Sequence, residues 1–316
     1  MTGEQFFREL SARKDSSDMV LATVRHVSGS TPRYAGAQMA CGDDWSLGTI
    51  GGGLAEAKVI QAARSTKPTT SPTEVIIDLR GTVEEPRDGI CGGKMIVRLD
   101  TIDQVALESI ERGLKMLQSG EPVQQYFPAD DSWFLQATDK IGEAEGLTDP
   151  QYVFPDPLLL IVGGGHCGTA LAQAALPLGF HIVIQDDRTI CDGVDWSTER
   201  CIKSCDSVAK TLLNHQSSRP LYAAIVSRSY ACDVAALEAL ATVECHYVGL
   251  MGSNRRVAQV QKMLRDRGVC QAFLERVDSP IGLVIGAETP EEIAISICAR
   301  LIEVRQQHKF MPASFE

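Results

Sequence analysis

The stretch that decides the fold is residues 158–168, which read LLLIVGGGHCG. Five consecutive aliphatic residues predict a strand buried on both faces, and the glycines that follow have the spacing GxGxxG. We expect Gly163 to allow a tight turn, Gly165 to let a phosphate approach the backbone, and Gly168 to let a helix pack closely on the strand. His166 then stands in the first turn of that helix, whose free N–H groups favour an anion.

A carboxylate follows at the spacing expected of a dinucleotide-binding fold. The next predicted strand, 181–185, leads into Asp186, which lies 23 residues after Gly163. A carboxylate at this distance bonds ribose hydroxyls and favours an unphosphorylated ribose, although Arg188 nearby keeps a phosphorylated one open. The alternative is a Rossmann-like domain in which the glycines serve packing alone and no nucleotide binds.

The second half alternates strands and helices in the manner of a parallel α/β sheet covered on both faces. The predicted strands are 158–162, 181–185, 221–227 and 244–250. The predicted helices lie near 166–179, 206–214, 233–241 and 253–268. A last helix begins after Thr289, with Pro290 in its first turn and Glu292 completing a capping box, and it runs to about residue 306.

The first half predicts a mixed α/β domain. A capping box at Thr2 starts a helix. The predicted strands are 19–27, 37–41, 45–50, 73–79 and 94–99, and the further predicted helices are 54–64 and 102–117. The last of these helices has a predicted apolar face made of Ile102, Val105, Ala106, Ile110, Leu114 and Leu117. Breakers between 119 and 157 predict a linker with short strands. The predicted domains are therefore 1–118, the linker 119–157, and a Rossmann-like domain over 158–316.

Composition excludes several classes of protein. The chain has 316 residues and a formal net charge of −11, which disfavours nucleic-acid binding. No apolar run approaches the roughly 20 residues of a membrane span. Without a secretory signal we expect a cytoplasmic protein whose ten cysteines are reduced. No CxxC pair is present and only six histidines are scattered along the chain, so a Cys/His metal cage is not expected.

A second glycine-rich motif lies in the first half, where residues 48–56 read GTIGGGLAE after the segments GSTPR (29–33) and GAQM (36–39). Three consecutive glycines, Gly51, Gly52 and Gly53, before a helix expose backbone donors suited to an anion. Arg33 adds a cation with bidentate geometry. Glu56 either stabilises the helix dipole or accepts hydrogen bonds from the N–H edge of a ligand ring.

Cys91 is the one thiol with unusual surroundings, in the sequence DGICGGK over 88–94. Two glycines beside it allow close backbone approach, and we expect Lys94 and Arg87 to lower its pKa. The alternative is a buried structural cysteine beside a turn.

A third anion-type motif is YVGLMGSNRR over 247–256. Ser253 is expected to cap the next helix, with Arg255 and Arg256 in its first turn. Cations at a helix N-terminus oppose the dipole, so we expect a phosphate or carboxylate ligand beside them. The alternative is an ion pair within the chain or with a partner.

Together these motifs resemble those of the XdhC-type family, the xanthine dehydrogenase accessory proteins. The shared segments are GSTPR with GAQM, GTIGGG with Glu56, CGG at Cys91, GGGHCG, DDR at Asp186, GLMGSNRR and SPIGLVIGAETPEEIAISI. The resemblance implies an N-terminal XdhC-type domain followed by a C-terminal Rossmann domain. It departs from the family at Ser227 and Arg228, where a Thr-His pair is usual, and at Val284, where an aspartate is common, whereas Asp233 matches.

The resemblance implies a chaperone for molybdenum cofactor (molybdopterin) rather than an enzyme with its own turnover. Such a protein protects its cargo while a sulfur ligand is installed and passes it to a molybdenum hydroxylase such as xanthine dehydrogenase. It also implies a cysteine desulfurase-type sulfur donor and a homodimer, with Cys91 as a contact of molybdenum through the cofactor. The residues expected to bind cofactor or nucleotide are Arg33, Gly51, Gly52, Gly53, Glu56, Cys91, Gly163, Gly165, His166, Gly168, Asp186, Ser253, Arg255 and Arg256.

Two other functions stay open. One is an NAD(P)-dependent oxidoreductase, because GxGxxG followed by Asp186 fits NAD(P) or another nucleotide. The other is a nucleotide-sensing regulatory module that needs no molybdenum.

Overall fold

The computed structural model describes residues 1–13, 19–65, 72–82, 87–126, 134–137, 151–188, 200–215 and 218–310. The chain divides into two units, Met1–Pro155 and Asp156–Glu316, so the boundary lies inside the predicted linker. Within the described ranges, no helix combines the length and the apolar character that a membrane crossing requires.

An antiparallel sheet with strand order β3-β2-β1-β5-β4 forms the centre of the first unit. Its elements in chain order are α1 (Gly3–Ser11), β1 (Val20–Ser28), β2 (Gln38–Cys41), β3 (Ser46–Gly48), α2 (Gly53–Ser65), β4 (Thr73–Asp78), β5 (Lys94–Thr101) and α3 (Gln104–Ser119). Every element predicted here is present. Half of the predicted capping box is present: the Gln5 amide donates to Thr2 Oγ1 at 3.2 Å, which makes Thr2 the N-cap. The reciprocal bond is missing, because Gln5 Oε1 makes no hydrogen bond among the described residues.

Successive side chains of β1 point to opposite faces of the sheet, so the core of this unit has one part on each face. Leu21 packs with α1 and α3 on one face. Val20 and Ala22 pack with Val59 of α2 on the other. β1 therefore lies in the middle of the sheet with α2 packed on one of its faces, and α2 begins at the last glycine of the glycine motif, Gly53.

The predicted face of α3 is wrong at one position, because the side chain of Val105 is 61% exposed. The helix begins at Gln104, with Asp103 as its N-cap accepting the Ala106 amide at 2.8 Å. This places Val105 in the first turn on the outer side, while Leu107 is buried in its stead.

The segment predicted as a linker contributes to the first core. It holds β6 (Val123–Tyr126), β7 (Phe134–Ala137) and β8 (Gln151–Val153), which pair as a three-stranded antiparallel sheet. Val123, Leu135 and Val153 are buried in the same cluster as α1 and α3. Ser109 of α3 fastens this sheet, since its hydroxyl accepts the Leu135 amide at 2.7 Å.

A five-stranded parallel sheet forms the second unit, in the order β11-β10-β9-β12-β13, which confirms the predicted α/β class. Its elements are β9 (Leu158–Val162), α4 (His166–Ala175), β10 (His181–Gln185), β11 (Cys201–Ser204), α5 (Val208–Asn214), β12 (Leu221–Ile225), α6 (Tyr230–Leu240), β13 (Tyr247–Leu250), α7 (Asn254–Asp266), α8 (Gln271–Arg276) and α9 (Pro290–Phe310). Sequence reasoning missed β11, a short edge strand, and the six-residue α8.

Helices cover both faces of this sheet, as predicted. Buried residues of α4 and α9 form one core, and those of α5 to α8 form the other. The capping box of α9 is confirmed, because Thr289 Oγ1 accepts the Glu292 amide at 3.2 Å and Glu292 Oε2 accepts the Thr289 amide at 3.1 Å. The helix extends to Phe310, past the predicted end. The strand order reverses at β9, because β10 and β11 lie on one side of it while β12 and β13 lie on the other. Ligands of open α/β sheets bind at this switch point, here between β9 and β12.

A substitution at Gly168 tests the contact that lets α4 approach β9. A Cβ on Gly168 would lie 1.9 Å from the Gly163 carbonyl oxygen, whereas one on Gly165 would meet no atom closer than 3.9 Å. We expect Gly168→Ala to lower the free energy of unfolding by about 2–3 kcal/mol or more and Gly165→Ala to have a much smaller effect. Urea unfolding of the full chain compares the two. Equal stabilities would show that the backbone approach is looser than described.

Candidate functional site

The loop after β9 has the geometry predicted for GxGxxG. Gly163 has φ +111°, and a Cβ there would be 3.0 Å from the backbone of Ser227. Gly168 lets α4 contact the loop, and Gly165 is the N-cap of α4 without a side-chain cap. Gly163 and Gly168 are therefore required by the structure, the first for its positive φ and close contact with Ser227 and the second for the packing of α4. Gly165 leaves the start of the helix accessible.

The carboxylate of Asp186 is fully engaged by its own chain. It accepts the Gly164 amide at 2.8 Å and the Arg188 amide at 3.0 Å. The Arg188 guanidinium adds bonds from Nε at 2.8 Å and Nη2 at 2.6 Å. These bonds, first of all those from the Arg188 side chain, lower the pKa of Asp186 to about 2. Four donors fill the acceptor capacity of a carboxylate, so the residue predicted to hold a ribose has none to spare.

Arg228 reaches from the end of β12 to the start of α4. Its Nη2 lies 3.5 Å from Nδ1 of His166 and is the nearest group to the open side of Gly165. Both His166 and Arg228 are exposed. The departure from the family at position 228 therefore puts a cation over the glycine loop, where it adds to the positive end of the helix dipole.

The two arginines predicted to share one anionic ligand have different surroundings. Arg256 donates from Nε to Asp233 at 2.8 Å and from Nη2 to the Ser227 carbonyl at 3.0 Å. Asp233 is completely buried. Arg256 thus compensates a carboxylate of its own chain, which is the ion-pair alternative. Arg255 is exposed and has no polar partner within the described ranges. Ser253 caps α7 as predicted, accepting the Arg256 amide at 3.4 Å.

In the first unit, one loop touches the two other motifs that the sequence singled out. Residues 29–33 contact Gly51, where a Cβ would lie 2.4 Å from Pro32 Cγ. The same loop contacts Gly93, where a Cβ would lie 2.3 Å from the Ser30 carbonyl oxygen. We call residues 29–33, 49–53 and 88–93 the three-loop site. Segments about 20 and 60 residues apart along the chain are brought together there.

The three-loop site is open on one side. Gly52, Gly53 and Gly92 have φ of +75°, +64° and +88°, and a Cβ on any of them would meet nothing within 4 Å. Arg33 and Cys91 are both exposed beside these glycines. The alternative of a buried structural Cys91 is therefore wrong.

Glu56 caps the glycine loop of its own helix. Its Oε2 accepts the Gly52 amide at 2.9 Å and the Thr49 hydroxyl at 2.8 Å. Thr49 Oγ1 in turn accepts the Gly51 amide at 3.1 Å. The Glu56 carboxylate therefore accepts the hydrogen bond of Gly52, one of the backbone amides predicted to bind a ligand anion. Oε1 makes no hydrogen bond among the residues that the structure describes, so one oxygen is left for a ligand.

Two acidic residues fix the loop that carries Cys91. Asp88 Oδ2 accepts the Asp78 amide at 2.8 Å and Lys58 Nζ at 2.8 Å. Asp78 pairs with Arg80 and with Arg87, and the Arg80 side chain holds the pKa of Asp78 below its usual range. Arg87, predicted to act on the thiol, is thus bound to Asp78. Lys58 belongs to α2, so it ties the glycine helix to the cysteine loop across 30 residues of sequence. No local sequence signal indicates that link.

Of the other described cysteines, Cys41, Cys201, Cys245 and Cys298 are buried, as their predicted structural role requires. All nine described thiols are free. Burial raises the pKa of Cys41 and Cys245 to about 11 and that of Cys298 to about 12, so these thiols stay protonated. Cys91 stands apart because it is exposed and lies in the three-loop site.

The chain thus combines a mixed α/β unit that carries an open glycine-rich site with a Rossmann-type unit. Residues 159–301 match the family model described as the XdhC Rossmann domain, and residues 12–76 match that of the XdhC and CoxI family. The chain belongs to the XdhC family.

The relatives described next each cover 93% or more of this chain. A probable xanthine dehydrogenase subunit of Bacillus subtilis (strain 168) is 26% identical, covering 93% of this chain and 95% of that protein. The uncharacterized protein YqeB of Escherichia coli (strain K12) is 24% identical, and the match covers 95% of this chain but 46% of YqeB. The crystal structure of a xanthine dehydrogenase from Bacillus halodurans has the same fold, with a TM-score of 0.81 at 24% identity, covering 100% of this chain and 98% of that one.

Replacing in turn the two arginines in the first turn of α7 distinguishes a structural arginine from one that is available to a ligand. Arg256→Met leaves the buried Asp233 carboxylate without its cation, and we expect a loss of about 3–5 kcal/mol in the free energy of unfolding. Arg255→Met, one residue away and exposed, should change stability by no more than about 0.5 kcal/mol. Chemical denaturation measures both. A tolerated Arg256→Met would mean that the pair with Asp233 is not the structural contact described.

The Asp186–Arg188 pair should make stability depend on acid pH. The pKa of Asp186 is about 2 in the folded chain and about 3.8 without partners, so its stabilisation is present above pH 4. It is lost as the pH falls from about 4 to about 2. Asp186→Asn should lose this component of the acid response, while Asp187→Asn, a change at the exposed neighbour, should keep it. Unfolding midpoints measured over this range compare the three proteins. An unchanged acid response in Asp186→Asn would contradict the assignment.

Proposed function

We propose that this chain is an accessory protein that binds molybdenum cofactor, holds it while its sulfur ligand is installed, and delivers it to a xanthine dehydrogenase-type molybdenum hydroxylase. The observation that carries the proposal is the three-loop site, in which Arg33 and Cys91 are exposed beside glycines that have open space around them. A cysteine desulfurase-type sulfur donor and a homodimer belong to the same proposal.

The donors of the three-loop site match the parts of a pterin–phosphate ligand. Amides at the start of α2 and the Arg33 guanidinium suit the phosphate. The free Oε1 of Glu56 suits an N–H edge of the pterin ring. The Cys91 side chain offers a soft sulfur ligand of the kind that molybdenum–sulfur chemistry favours. A ligand that enters from the open side of the site could reach all of these groups.

The relatives support the same partner. The Bacillus subtilis relative is named a probable xanthine dehydrogenase subunit, and its similarity to this chain extends over nearly its whole length. A protein that holds cargo needs affinity without turnover, and its acceptor must be able to approach the bound cofactor. The exposed site on the surface of the first unit meets the second requirement, because an acceptor can approach it.

The second unit supports the alternative function, an NAD(P)-dependent oxidoreductase, less well than the first unit supports cofactor binding. Its loop offers the start of α4 and the exposed Arg228 to a phosphate group. The Asp186 carboxylate, however, already has four donors from its own chain. This arrangement disfavours recognition of a ribose by that residue, and we therefore assign the cargo to the first unit.

Variants of the three-loop site test the proposal. The protein is purified from cells that make the cofactor, and retained molybdenum is measured by mass spectrometry alongside the fluorescence of the oxidised pterin. We expect Arg33→Ala to reduce retention of both signals about tenfold or more, because a charge-assisted hydrogen bond is lost. Cys91→Ser should reduce molybdenum more than pterin.

The matched control is Cys270→Ser, which removes another exposed thiol from the second unit and should retain cofactor like the wild type. Thermal unfolding checks that each variant is folded. Absence of molybdenum and pterin from the wild-type protein, both as purified and after titration with the cofactor, would refute the proposed function.

A further inference from the structure

One side chain of α2 connects that helix to the segment that carries Cys91. Nζ of Lys58 donates to Asp88 Oδ2 at 2.8 Å and to the Ile76 carbonyl at 2.9 Å. Ile76 belongs to β4, and Asp88 stands three residues before Cys91 in the sequence. Because an ammonium group has three donors, this one side chain can bond a strand and a loop at once to the helix that begins at the open glycines.

The carboxylate that receives Lys58 is itself held in place. Its Oδ2 also accepts the Asp78 amide at 2.8 Å, and the Asp88 amide donates to the Asp78 carbonyl at 3.1 Å. The side chains of Lys58 and Asp88 are 44% and 19% exposed. An ion pair with this exposure contributes little to the stability of a fold. It does, however, determine where the loop lies relative to α2.

Backbone hydrogen bonds join the same loop to the chain that follows β4. The Gly92 amide donates to the Leu79 carbonyl at 2.7 Å, and the Leu79 amide donates to the Gly93 carbonyl at 2.9 Å. These bonds set the position of the loop along the sheet. The bond from Lys58 sets its position against the helix, so the separation between the Cys91 sulfur and the amides at the start of α2 depends on Lys58.

We propose that Lys58 is a positioning residue of the three-loop site. Through Asp88 it holds the Cys91 loop against the start of α2, so that one ligand can contact the glycine amides and the sulfur together. Lys58 lies about 7.5 Å along the helix axis from Gly53, and Cys91 follows Asp88 by roughly 10 Å of extended chain at most. Connections this short pass a shift of the link on to the site.

The ligand class that needs such a link is a molecule with an anionic group at one end and a metal that binds sulfur at the other. To that extent the inference rests on the proposed function. A ligand that must order a loop when it binds loses affinity, because the loop gives up conformational entropy. Loss of Lys58 should therefore weaken the metal end of the ligand. The contacts of Arg33 and of the α2 amides with the pterin and its phosphate should remain.

Hydrogen exchange of the cofactor-free full chain tests the positioning without a ligand. In Lys58→Met we expect the amides of residues 88–93 to exchange about fivefold faster than in the wild type, because the loop has lost its bond to α2. Asp88→Asn keeps an oxygen for the Asp78 amide but loses the charge, and it should have the same effect. The double variant should add little to either single change, since both remove one interaction.

Cofactor retention tests what the position serves. The variants are purified from cells that make the cofactor, and retained molybdenum and pterin are measured. Lys58→Met and Asp88→Asn should each lower the ratio of molybdenum to pterin about threefold or more, because a displaced sulfur ligand weakens the metal end first. The matched control is Lys115→Met, which removes another exposed lysine of the first unit, on α3, and should equal the wild type in both measurements.

Three results would overturn the positioning role. They are exchange of residues 88–93 in Lys58→Met at the wild-type rate, additive effects of Lys58→Met and Asp88→Asn, and an unchanged ratio of molybdenum to pterin in a variant whose loop exchanges faster. Absence of both molybdenum and pterin from the wild-type protein would instead refute the proposed function. The exchange rates of the cofactor-free proteins would still decide whether Lys58 holds the loop.

Discussion

Both units depend on places where another part of the chain approaches the backbone so closely that only a glycine, which has no side chain, can be accommodated. In the first unit Pro32 and Ser30 contact Gly51 and Gly93 at distances that a Cβ would prevent. In the second, Gly168 contacts the Gly163 carbonyl in the same way. The glycines at these points are structural. The neighbouring glycines of the first unit, Gly52, Gly53 and Gly92, have open space around them instead. Each of these motifs therefore contains a glycine that packs against another loop and at least one that is accessible to a ligand.

Charge is divided in a similar way between structure and surface. Arg256 and Arg188 bind the carboxylates of Asp233 and Asp186 in their own unit. A buried carboxylate holds its cation because separating the pair would leave a charge in a medium of low dielectric. Arg33, Arg228 and Arg255 are exposed and bind no carboxylate among the described residues, so they can be offered to a ligand, and of these three only Arg33 lies in the three-loop site.

Most of the fold could be predicted from the sequence because its signals are local. Aliphatic runs give the central parallel strands, and the capping boxes at Thr2 and Thr289 give two helix starts. The errors occur where tertiary contacts decide. Val105 lies outside because the N-cap at Asp103 sets the phase of α3, and the segment predicted as a linker joins the first core through Leu135.

The parts of the site could be predicted less evenly. Glycine motifs indicated where the loops are, since the need for a positive φ or a close approach is written in the residue itself. The partners of the charged side chains were not indicated. Arg87 and Arg256 were expected to act on a thiol and a ligand, but Asp78 and Asp233 bind them. The link from Lys58 to Asp88 joins residues 30 positions apart and leaves no pattern in the sequence.

Hydrogen exchange of the full chain with and without molybdopterin, followed by mass spectrometry, tests the central claim most directly. If the three-loop site grips the cofactor, amides in 29–33, 49–55 and 88–93 will be protected together, and those in 163–168 will exchange as before. Protection confined to 163–168, or none in any of these segments at saturating cofactor, would contradict the account.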